Sequence, residues 1–488
     1  MTKRLIDGFK KYAAALIGFS AIIWVLFFSW QTLTTRPRLW TDESINIEMA
    51  RNFSLFGKLD VIVKPGVFSG HQAILQSTGY PVTASLALFF KLFGFGAVQA
   101  RVYMLIWMAL LLLLLLVFVK KVFGAFGAPW TILLIAGLAP FYANGRSVMG
   151  EIPGFIFLLL GVYFLWYRND NRFISGVFFG LAAVARPSVY LLLLPALALG
   201  VFLQKDRPVK RLLSVGSGMI LPVVGWLLLA MPDPLALSEW AGLVSFYKNP
   251  FGGMSVWGNM SQNFFWLFQH STLLYFNGLV AVIMAAIFLN HDFYGRHKNF
   301  LNFFIAYYIF ALLYFLKSPG WLRYIIAGQL LVLAVLPPAW AAIIDKLKFK
   351  EGAIKKALVG VPLLFLIILQ LFHLLYRSDL FYSETPQKVA EFINAQPADK
   401  TVGIINAPIV SALINPAGKW QIIKLLGLPV LGENPLALPP VDLPDLIVSV
   451  KGSADFKEYE NVAQEHYLLL KSIGEYDIYE LFLGGEKR

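Results

Sequence analysis

Long apolar segments separated by short polar stretches dominate the chain as far as about residue 376. A helix needs about 20 apolar residues to cross the hydrocarbon layer of a membrane. Eleven segments reach or approach that length, approximately residues 12–33, 99–119, 128–146, 151–167, 173–186, 187–203, 212–231, 263–289, 299–316, 322–344 and 357–376. The pattern therefore predicts an α-helical multi-pass membrane protein with about eleven transmembrane helices, the first of which is an uncleaved N-terminal span.

One junction between two of these segments contains a proline. Pro187 lacks a backbone N–H, and its ring disfavours helical conformation at the preceding residue, Arg186. The segments on either side, 173–186 and 187–203, are also short for a membrane crossing. The sequence therefore predicts a helix break at this junction, with tilted or half-inserted segments on both sides.

Two stretches between the apolar segments are unusually long. Residues 34–98 contain SINIEMARNFSLFG and TGYPVTASLALFFKLFG, which we expect to form interfacial helices with apolar faces in the lipid boundary. Residues 232–262 are rich in aromatic residues, Gly and Pro. This second stretch fits either an aromatic belt at the membrane interface or a substrate-covering loop with glycine hinges.

The character of the sequence changes near Arg377. Charged residues return, and short apolar runs alternate with turn residues in TVGIINAP, DLIVSV, YLLLKSI and YDIYELFL. The stretch TPQKVAEFINAQ between such runs has a helical pattern. We therefore expect a transmembrane domain over residues 1–376 and a small C-terminal α/β soluble domain over residues 377–488. No GxGxxG pattern follows the first strand, so no dinucleotide site is indicated.

The basic residues indicate orientation in the membrane more than they indicate a nucleic-acid partner. The chain of 488 residues is 58% hydrophobic and 14% charged, with a net charge of +13. With the N-terminus inside, every predicted inner loop carries Lys or Arg, which is the positive-inside pattern. An odd number of spans then places residues 377–488 outside the cell or in the periplasm. The chain has no cysteine, which excludes disulfides and thiolate chemistry.

Ionisable residues near a membrane are candidate functional groups because their burial is costly. In the predicted topology the acids on the outer face are Asp42, Glu43, Glu48, Asp60, Glu151, Asp233 and Glu239, and the main bases are Arg146, Arg186, Lys317 and Arg323. Carboxylates can deprotonate an acceptor, and arginines can hold a phosphate. This chemistry suggests glycosyl transfer from a lipid-linked donor, although transporters also carry intramembrane acids and arginines.

Five stretches, in order, resemble motifs of the GT-C glycosyltransferases, in particular the branch of the protein O-mannosyltransferases and the lipid A aminoarabinose transferase. They are DESINIEMARNFSLFGKLD after the first span, TGYPVTASLALFFKLFG with the following Arg101, GRSVMGEIPGFIFLLLGVYF, GLAAVARPSVYLLLLP and PGWLRYIIAGQLLVLAVLP. The resemblance extends over roughly residues 10–345. It departs from the family after the first acidic pair, where Glu43 is followed by Ser-Ile-Asn, and this leaves the acceptor class open.

The resemblance implies an inverting transfer from a polyprenyl-phosphate sugar to a lipid, glycan or protein acceptor at the outer face. It implies that Asp42 is the general base and that Glu43 and Glu151 orient the acceptor or bind a cation. It further implies that Arg323, with Arg186 and Lys317, holds the lipid phosphate. A weak Mg²⁺ or Mn²⁺ site on carboxylates such as Asp42 and Glu151 is compatible with this expectation.

The remaining candidates and alternatives are weaker. His71 is expected to be an ordinary loop histidine, and no HxxxH or HExxH pair supports a zinc site. A transporter or flippase of a lipid-linked sugar is the main alternative function, but the sequence shows no clear two-fold repeat. A non-enzymatic scaffold that works through the tail is a third reading, and the tail carries no binding motif.

Overall fold

The computed structural model describes residues 2–482, apart from 72–74, 169–170, 204–207, 232, 249–254, 348, 350–351, 379, 381, 398, 415–420, 426–434, 440–441 and 458–459. The chain folds as two compact units. The bundle unit comprises Met1–Thr32, Met104–Leu227 and Trp240–Leu380. The loop–tail unit comprises Leu33–Tyr103, Leu228–Glu239 and Phe381–Arg488.

The bundle unit is helical. Its α-helices are α1 (Thr2–Gln31), most of α4 (Ala97–Phe123), α5 (Gly127–Ala136), α6 (Ala139–Arg146), α7 (Glu151–Trp166), α8 (Arg172–Ala185), α9 (Pro187–Tyr190), α10 (Leu193–Phe202), most of α11 (Pro208–Ala230), most of α12 (Leu237–Lys248), α13 (Val256–Gln269), α14 (Ser271–Leu289), α15 (His291–Lys317), α16 (Ile326–Lys346) and α17 (Ala353–Phe372). A 3₁₀ helix, Leu322–Ile325, leads into α16, and a π-helical turn, His373–Arg377, follows α17.

The structure contains helices that are long and apolar enough to cross a membrane. Among the described residues there are six, or seven if the bent pair α6–α7 counts as one span. Among these helices Leu322–Lys346 is the most buried, with 83% of its most apolar 18-residue stretch inside the protein, whereas the corresponding share for Pro208–Ala230 is 17%. Each of the eleven predicted segments is largely helical, which agrees with a multi-pass membrane protein, and the count of eleven spans stays a prediction.

Several predicted spans are not continuous helices, and one of them, 187–203, divides into α9 and α10. Segment 128–146 divides into α5 and α6 because Gly137 and Pro140 interrupt the helical hydrogen-bond ladder. Segment 263–289 divides at His270, whose backbone is extended and whose Nδ1 accepts a hydrogen bond from the N–H of Thr272 at 3.3 Å, capping α14. The predicted break at Arg186–Pro187 is confirmed, since α8 ends at Ala185 and α9 begins at Pro187.

The loop–tail unit combines the first long loop with the C-terminal residues. Its first part contains α2 (Thr41–Phe56), a small antiparallel hairpin of β1 (Ile62–Lys64) and β2 (Val67–Phe68), α3 (Tyr80–Phe93) and the start of α4. Both predicted helices of this loop are present. Leu88, Leu92 and Phe93 of α3 are exposed, whereas the middle of α2 is buried within the unit. The interfacial position of these helices stays a prediction.

The tail forms a mixed α/β layer. Its elements are α18 (Thr385–Asn394), β3 (Thr401–Ile405), α19 (Pro408–Leu413), β4 (Gln421–Leu425), β5 (Leu446–Val450), α20 (Ala454–Lys457), α21 (Glu460–His466), β6 (Tyr467–Ile473) and β7 (Tyr476–Leu481), with a 3₁₀ turn at Pro435–Ala437. The strand order is β4-β3-β5-β7-β6. Strand β3 pairs in parallel with β4 and β5, whereas β7 pairs antiparallel with β5 and β6. The four predicted strands and the predicted helix are present, and β4 is an additional strand.

Candidate functional site

A sharp corner between α6 and α7 brings charged residues together in the bundle unit. The two helices are bent by 103° at the four residues between Arg146 and Glu151. Glycines allow other backbone to approach this corner, because a Cβ on Gly150 would overlap the carbonyl of Ala185 and a Cβ on Gly154 would overlap the ring of Tyr190. The hydroxyl of Tyr190 donates a hydrogen bond to the backbone carbonyl of Glu151. The corner therefore packs directly on the break between α8 and α9.

This packing buries an ion pair. Arg186, at the α8–α9 break, places Nε 3.1 Å from Oε1 of Glu151, and the two side chains are 1% and 0% exposed. Paired charges of this kind are costly to bury, and removing either partner leaves an uncompensated charge. Glu151 and Arg186, both singled out from the sequence, therefore form one buried pair, and their predicted roles in the reaction stay predictions.

Arg323 is held by a rigid turn between α15 and the 3₁₀ helix. Gly320 has a φ of +78°, a conformation that favours glycine. The side-chain amide of Asn263 donates to the carbonyls of Phe315 and Ser318, at 3.2 and 2.6 Å, which fixes the end of α15. The guanidinium of Arg323 lies over the ring of Trp321, 4.4 Å from its centroid. The same guanidinium lies 5.5 Å from the ring centroid of Tyr324, and these two cation–π contacts favour one direction for it.

That direction is toward the corner. Nη1 of Arg323 lies 3.9 Å from the sulfur of Met149, the residue that precedes Gly150. A Cβ on Gly150 would lie 2.9 Å from the Cβ of Arg186, so both arginines border the same four-residue turn. We name Arg186, Arg323, Glu151 and the turn 147–150 the arginine corner. Its two guanidinium groups have the chemistry to bind an anion such as a phosphate.

Two further basic residues, Arg146 and Lys317, are candidates from the sequence. Arg146, at the end of α6, is fully buried, and its Nη1 donates to the hydroxyl of Thr32 at 2.8 Å. Lys317 is exposed at the C-terminal end of α15, where a cation also complements the helix dipole. The role of Lys317 in binding phosphate stays a prediction.

The acidic pair after the first span belongs to the loop–tail unit, in the first turn of α2. Glu43 is fully buried in a bidentate ion pair, in which Nε and Nη2 of Arg101 each lie 2.7 Å from one carboxylate oxygen. Nη1 of Arg101 also donates to the carbonyls of Leu33 and Pro37, at 3.1 and 3.0 Å. One buried arginine thus ties the segment before α2 to its first turn.

This arrangement distinguishes the two neighbouring acids. Both oxygens of Glu43 accept hydrogen bonds from Arg101 in a region without solvent contact. Asp42, one residue earlier, is half-buried and reachable from solvent. A general base must lie within hydrogen-bond reach of its substrate. Of the two acids, Asp42 has the exposure that this role requires, and Glu43 has the burial of a structural anchor.

The described residues offer little support for a metal centre. Within the described part of the chain, no group of three or more His, Asp or Glu side chains is placed to hold a metal ion. Glu151 is already paired with Arg186. His71 is half-buried in a loop, and its backbone N–H donates to the hydroxyl of Ser69 at 3.1 Å. A Mg²⁺ or Mn²⁺ ion on Asp42 or Glu151 therefore stays a prediction.

Sequence reasoning did not assign site roles to Arg101 or to Lys424. Arg101 is a charged residue near the start of a long, mainly apolar helix, and this signal marks it as a residue that needs a buried partner. Lys424 lies in the strand β4, which the sequence pattern did not reveal, and it pairs with Glu48 across 376 positions. Such a separation leaves no local trace in the sequence.

A comparison with protein families gives one match. Residues 81–232 match the model of the dolichyl-phosphate-mannose-protein mannosyltransferases. No curated protein matches the sequence.

The fold resembles solved membrane glycosyltransferases along almost its entire length. ArnT from Cupriavidus metallidurans in the apo state superposes with a TM-score of 0.59 at 14% identity, covering 96% of this chain and 98% of ArnT. The chain has the GT-C fold. The GT-C structure of the same ArnT bound to undecaprenyl phosphate gives a TM-score of 0.54 at 14% identity, covering 97% of this chain and 99% of ArnT.

A third GT-C structure is the oligosaccharyltransferase of Archaeoglobus fulgidus in complex with Zn and sulfate. It superposes with a TM-score of 0.57 at 12% identity and covers 94% of this chain and 72% of that protein. At these identities the likeness establishes the architecture, and the GT-C resemblance inferred from the sequence motifs is confirmed at that level.

Proposed function

We propose that this protein is an inverting glycosyltransferase that moves a sugar from a polyprenyl-phosphate-linked donor to an acceptor at the outer face of the membrane. The GT-C fold supports the reaction class. The observation that carries the proposal furthest is the arginine corner, which brings two guanidinium groups and a carboxylate to one four-residue turn. The sugar and the acceptor, whether lipid, glycan or protein, are left open.

The arginine corner would serve the leaving group. In the transfer, the bond between the anomeric carbon and the phosphate oxygen breaks, and the polyprenyl phosphate departs with the electron pair. Arg323 and Arg186 would stabilise the negative charge that develops on that phosphate, because preorganised donors at a developing charge lower the barrier. Glu151 would hold Arg186 in place. Lys317 would attract the phosphate of the donor through its positive charge.

Asp42 would serve the acceptor. As the acceptor oxygen or nitrogen forms its bond to the anomeric carbon, its proton passes to the carboxylate of Asp42. General-base catalysis of this kind contributes about 10²–10⁴-fold in rate. Attack from the face opposite the departing phosphate inverts the anomeric configuration. The burial of Glu43 against Arg101 supports Asp42 as the base and Glu43 as its anchor.

The direct test is release of the lipid carrier. Purified protein in proteoliposomes is incubated with polyprenyl-phosphate sugars, and free polyprenyl phosphate and glycosylated acceptor are measured by mass spectrometry. We expect stoichiometric release of both, with strongly reduced release for Arg323→Ala. A transporter or flippase would move the intact donor to the other leaflet without releasing the carrier, and that result would overturn the proposal.

The proposal also requires that the acidic loop and the tail face outward, with the N-terminus in the cytoplasm. The basic predicted inner loops support this orientation. The chain has no native cysteine, so single cysteines report position without background. Glu475→Cys in the β6–β7 turn should react with an impermeant thiol reagent in intact cells, after outer-membrane permeabilisation where one exists. Ala125→Cys, exposed between α4 and α5, should react only after lysis, and the reverse pattern would contradict the orientation.

A further inference from the structure

A single buried carboxylate joins four elements of the loop–tail unit. Glu48, in the middle of α2, contacts the ammonium group of Lys424 on β4, and both side chains are almost fully buried, at 3% and 1% exposure. The hydroxyl of Ser411, in α19, donates to Oε2 of Glu48 at 3.1 Å. The backbone N–H of Ile62, in β1, donates to Oε1 at 3.2 Å. Two of the four elements, α2 and β1, belong to the first loop, and the other two, α19 and β4, belong to the tail.

The electrostatics make this contact a strong constraint. Burial by itself would raise the pKa of Glu48, but the charges of Lys424 and of Arg51 on the next turn outweigh burial and hold that pKa below its ordinary value. Glu48 is therefore ionised at neutral pH. An ionised carboxylate in a dry environment is stable only while its partners stay in place. The position of α2 is thus coupled to the position of β4.

The tail also contacts the segment that leads into α2. The side-chain amide of Gln387, in α18, donates to the carbonyl of Thr34 at 2.9 Å. The backbone N–H of Ser383 donates to the carbonyl of Thr35 at 3.3 Å. The guanidinium of Arg36 lies 5.1 Å from the ring centroid of Tyr382. The tail therefore contacts α2 at its entry as well as at its middle.

The sequence of α2 explains why it needs these contacts. One face is apolar and packs Ile45 and Met49 into a small cluster with residues of the β1 region. The other face carries Glu43, Glu48 and Arg51, which are buried although charged. A helix of 16 residues gains little stability by itself, and tertiary partners must fix it. Arg101 anchors its first turn, and Lys424 supplies the second anchor from the tail.

We infer that the tail acts as a positioning element for α2, with Lys424 as the positioning residue that holds the helix whose first turn presents Asp42. The inference concerns the role of the tail, and its catalytic consequence rests on the proposed function. Because Lys424 is buried against Glu48, it would act on the reaction through α2. Loss of its charge should loosen α2 and lower the rate of the chemical step, while donor binding is preserved.

The test compares Lys424→Met with the matched control Lys451→Met in the same tail. Lys451 also pairs with a carboxylate, at 3.7 Å from Asp477, but its side chain is 47% exposed. Hydrogen exchange of the α2 amides is measured by mass spectrometry in lipid nanodiscs, and steady-state kinetics are measured with a polyprenyl-phosphate sugar. We expect α2 exchange to accelerate on the order of tenfold or more in Lys424→Met and to be unchanged in the control.

The kinetic readout separates positioning from simple stability. In the fraction of Lys424→Met that is folded, kcat should fall roughly tenfold or more while the donor KM changes less than about twofold. Lys424→Arg, which keeps the charge, should restore most of kcat. A loss that is only structural would lower the amount of folded protein and leave kcat per folded molecule unchanged, and this outcome would overturn the inference.

The remaining outcomes are also decisive. Faster exchange in the tail with unchanged exchange in α2 would show that Lys424 stabilises only the tail, and the inference would be wrong. Should Lys424→Met not fold, Ser411→Ala removes one hydrogen bond to the same carboxylate and should accelerate α2 exchange severalfold, with unchanged exchange again contradicting the inference. Wild-type protein that exchanges as expected but releases no polyprenyl phosphate would refute the proposed function and leave the coupling of tail and helix supported.

Discussion

The first prediction is that the buried ion pair between Arg101 and Glu43 stabilises the folded protein. Replacing Arg101 with Met removes a buried guanidinium and leaves Glu43 and the carbonyls of Leu33 and Pro37 without its four hydrogen bonds. Removing one partner of a buried ion pair typically costs about 3–5 kcal/mol. Both groups here have 0% exposed side chains, so we expect a cost within that range.

The assay is a double-mutant cycle on thermal stability in detergent. Arg101→Met should lower the melting temperature strongly, whereas Lys91→Met, an exposed basic residue on α3, should change stability by less than about 0.5 kcal/mol. Arg101→Met/Glu43→Leu should be more stable than the sum of the single variants predicts, because no unpaired charge is left buried. Strictly additive losses would refute the view that these two groups act as one anchor.

Three further predictions concern the other charged groups. Arg323→Ala should raise the donor KM roughly 10–100-fold, because it removes a charge-assisted hydrogen bond of about 1.5–3 kcal/mol. Arg323→Lys should have a smaller effect, because lysine keeps the charge and loses only the forked geometry of the guanidinium donors. An unchanged KM in folded variants would contradict a role in binding phosphate. Glu151→Gln should destabilise the protein because it removes the charge that pairs with buried Arg186, and a melting temperature equal to that of wild type would contradict the pairing. Because the pKa of Glu48 is lowered in the folded protein, its ionised form stabilises the fold above the ordinary glutamate pKa, and this stabilisation is lost as the pH falls through the lowered pKa. The melting temperature should therefore depend less on pH in the acid range for Glu48→Gln than for wild type. Identical pH profiles would contradict that linkage.

The sequence predicts the membrane helices well because their signal is local. Each apolar segment carries its own length and its own flanking charges, so its helical structure is visible without reference to the rest of the chain. The break at Pro187 is equally local, since it follows from the missing N–H and the ring of one residue. Strands β3, β5, β6 and β7 also show their alternation with turn residues.

The pairing of charges is not local, and for this reason the sequence does not reveal it. Arg101 and Glu43 are 58 positions apart, and Lys424 and Glu48 are 376 positions apart. Nothing in the composition of either stretch specifies its partner. The family resemblance implies that Asp42 is the base, but the sequence does not reveal that Glu43 is an anchor, because that depends on the packing of Arg101 onto Glu43.

Breaks within apolar segments are a second limit. The division at His270 depends on one residue adopting an extended backbone and on its imidazole capping the next helix. The 103° corner before Glu151 depends on glycines that admit the backbone of the α8–α9 break. Hydrophobicity averaged over a window cannot resolve such features, because the residues on both sides are apolar.

The role of Asp42 is the central claim, and one measurement tests it most directly. Turnover of a polyprenyl-phosphate sugar is compared for Asp42→Asn and Glu43→Gln, with the melting temperature of each variant measured alongside. Asp42→Asn keeps the size of the side chain and removes the base, so we expect wild-type stability, retained donor binding and a loss of about 10²–10⁴-fold in turnover. Glu43→Gln should instead lower stability, because Arg101 loses its counter-charge. A folded Asp42→Asn variant with near-native turnover would contradict the account.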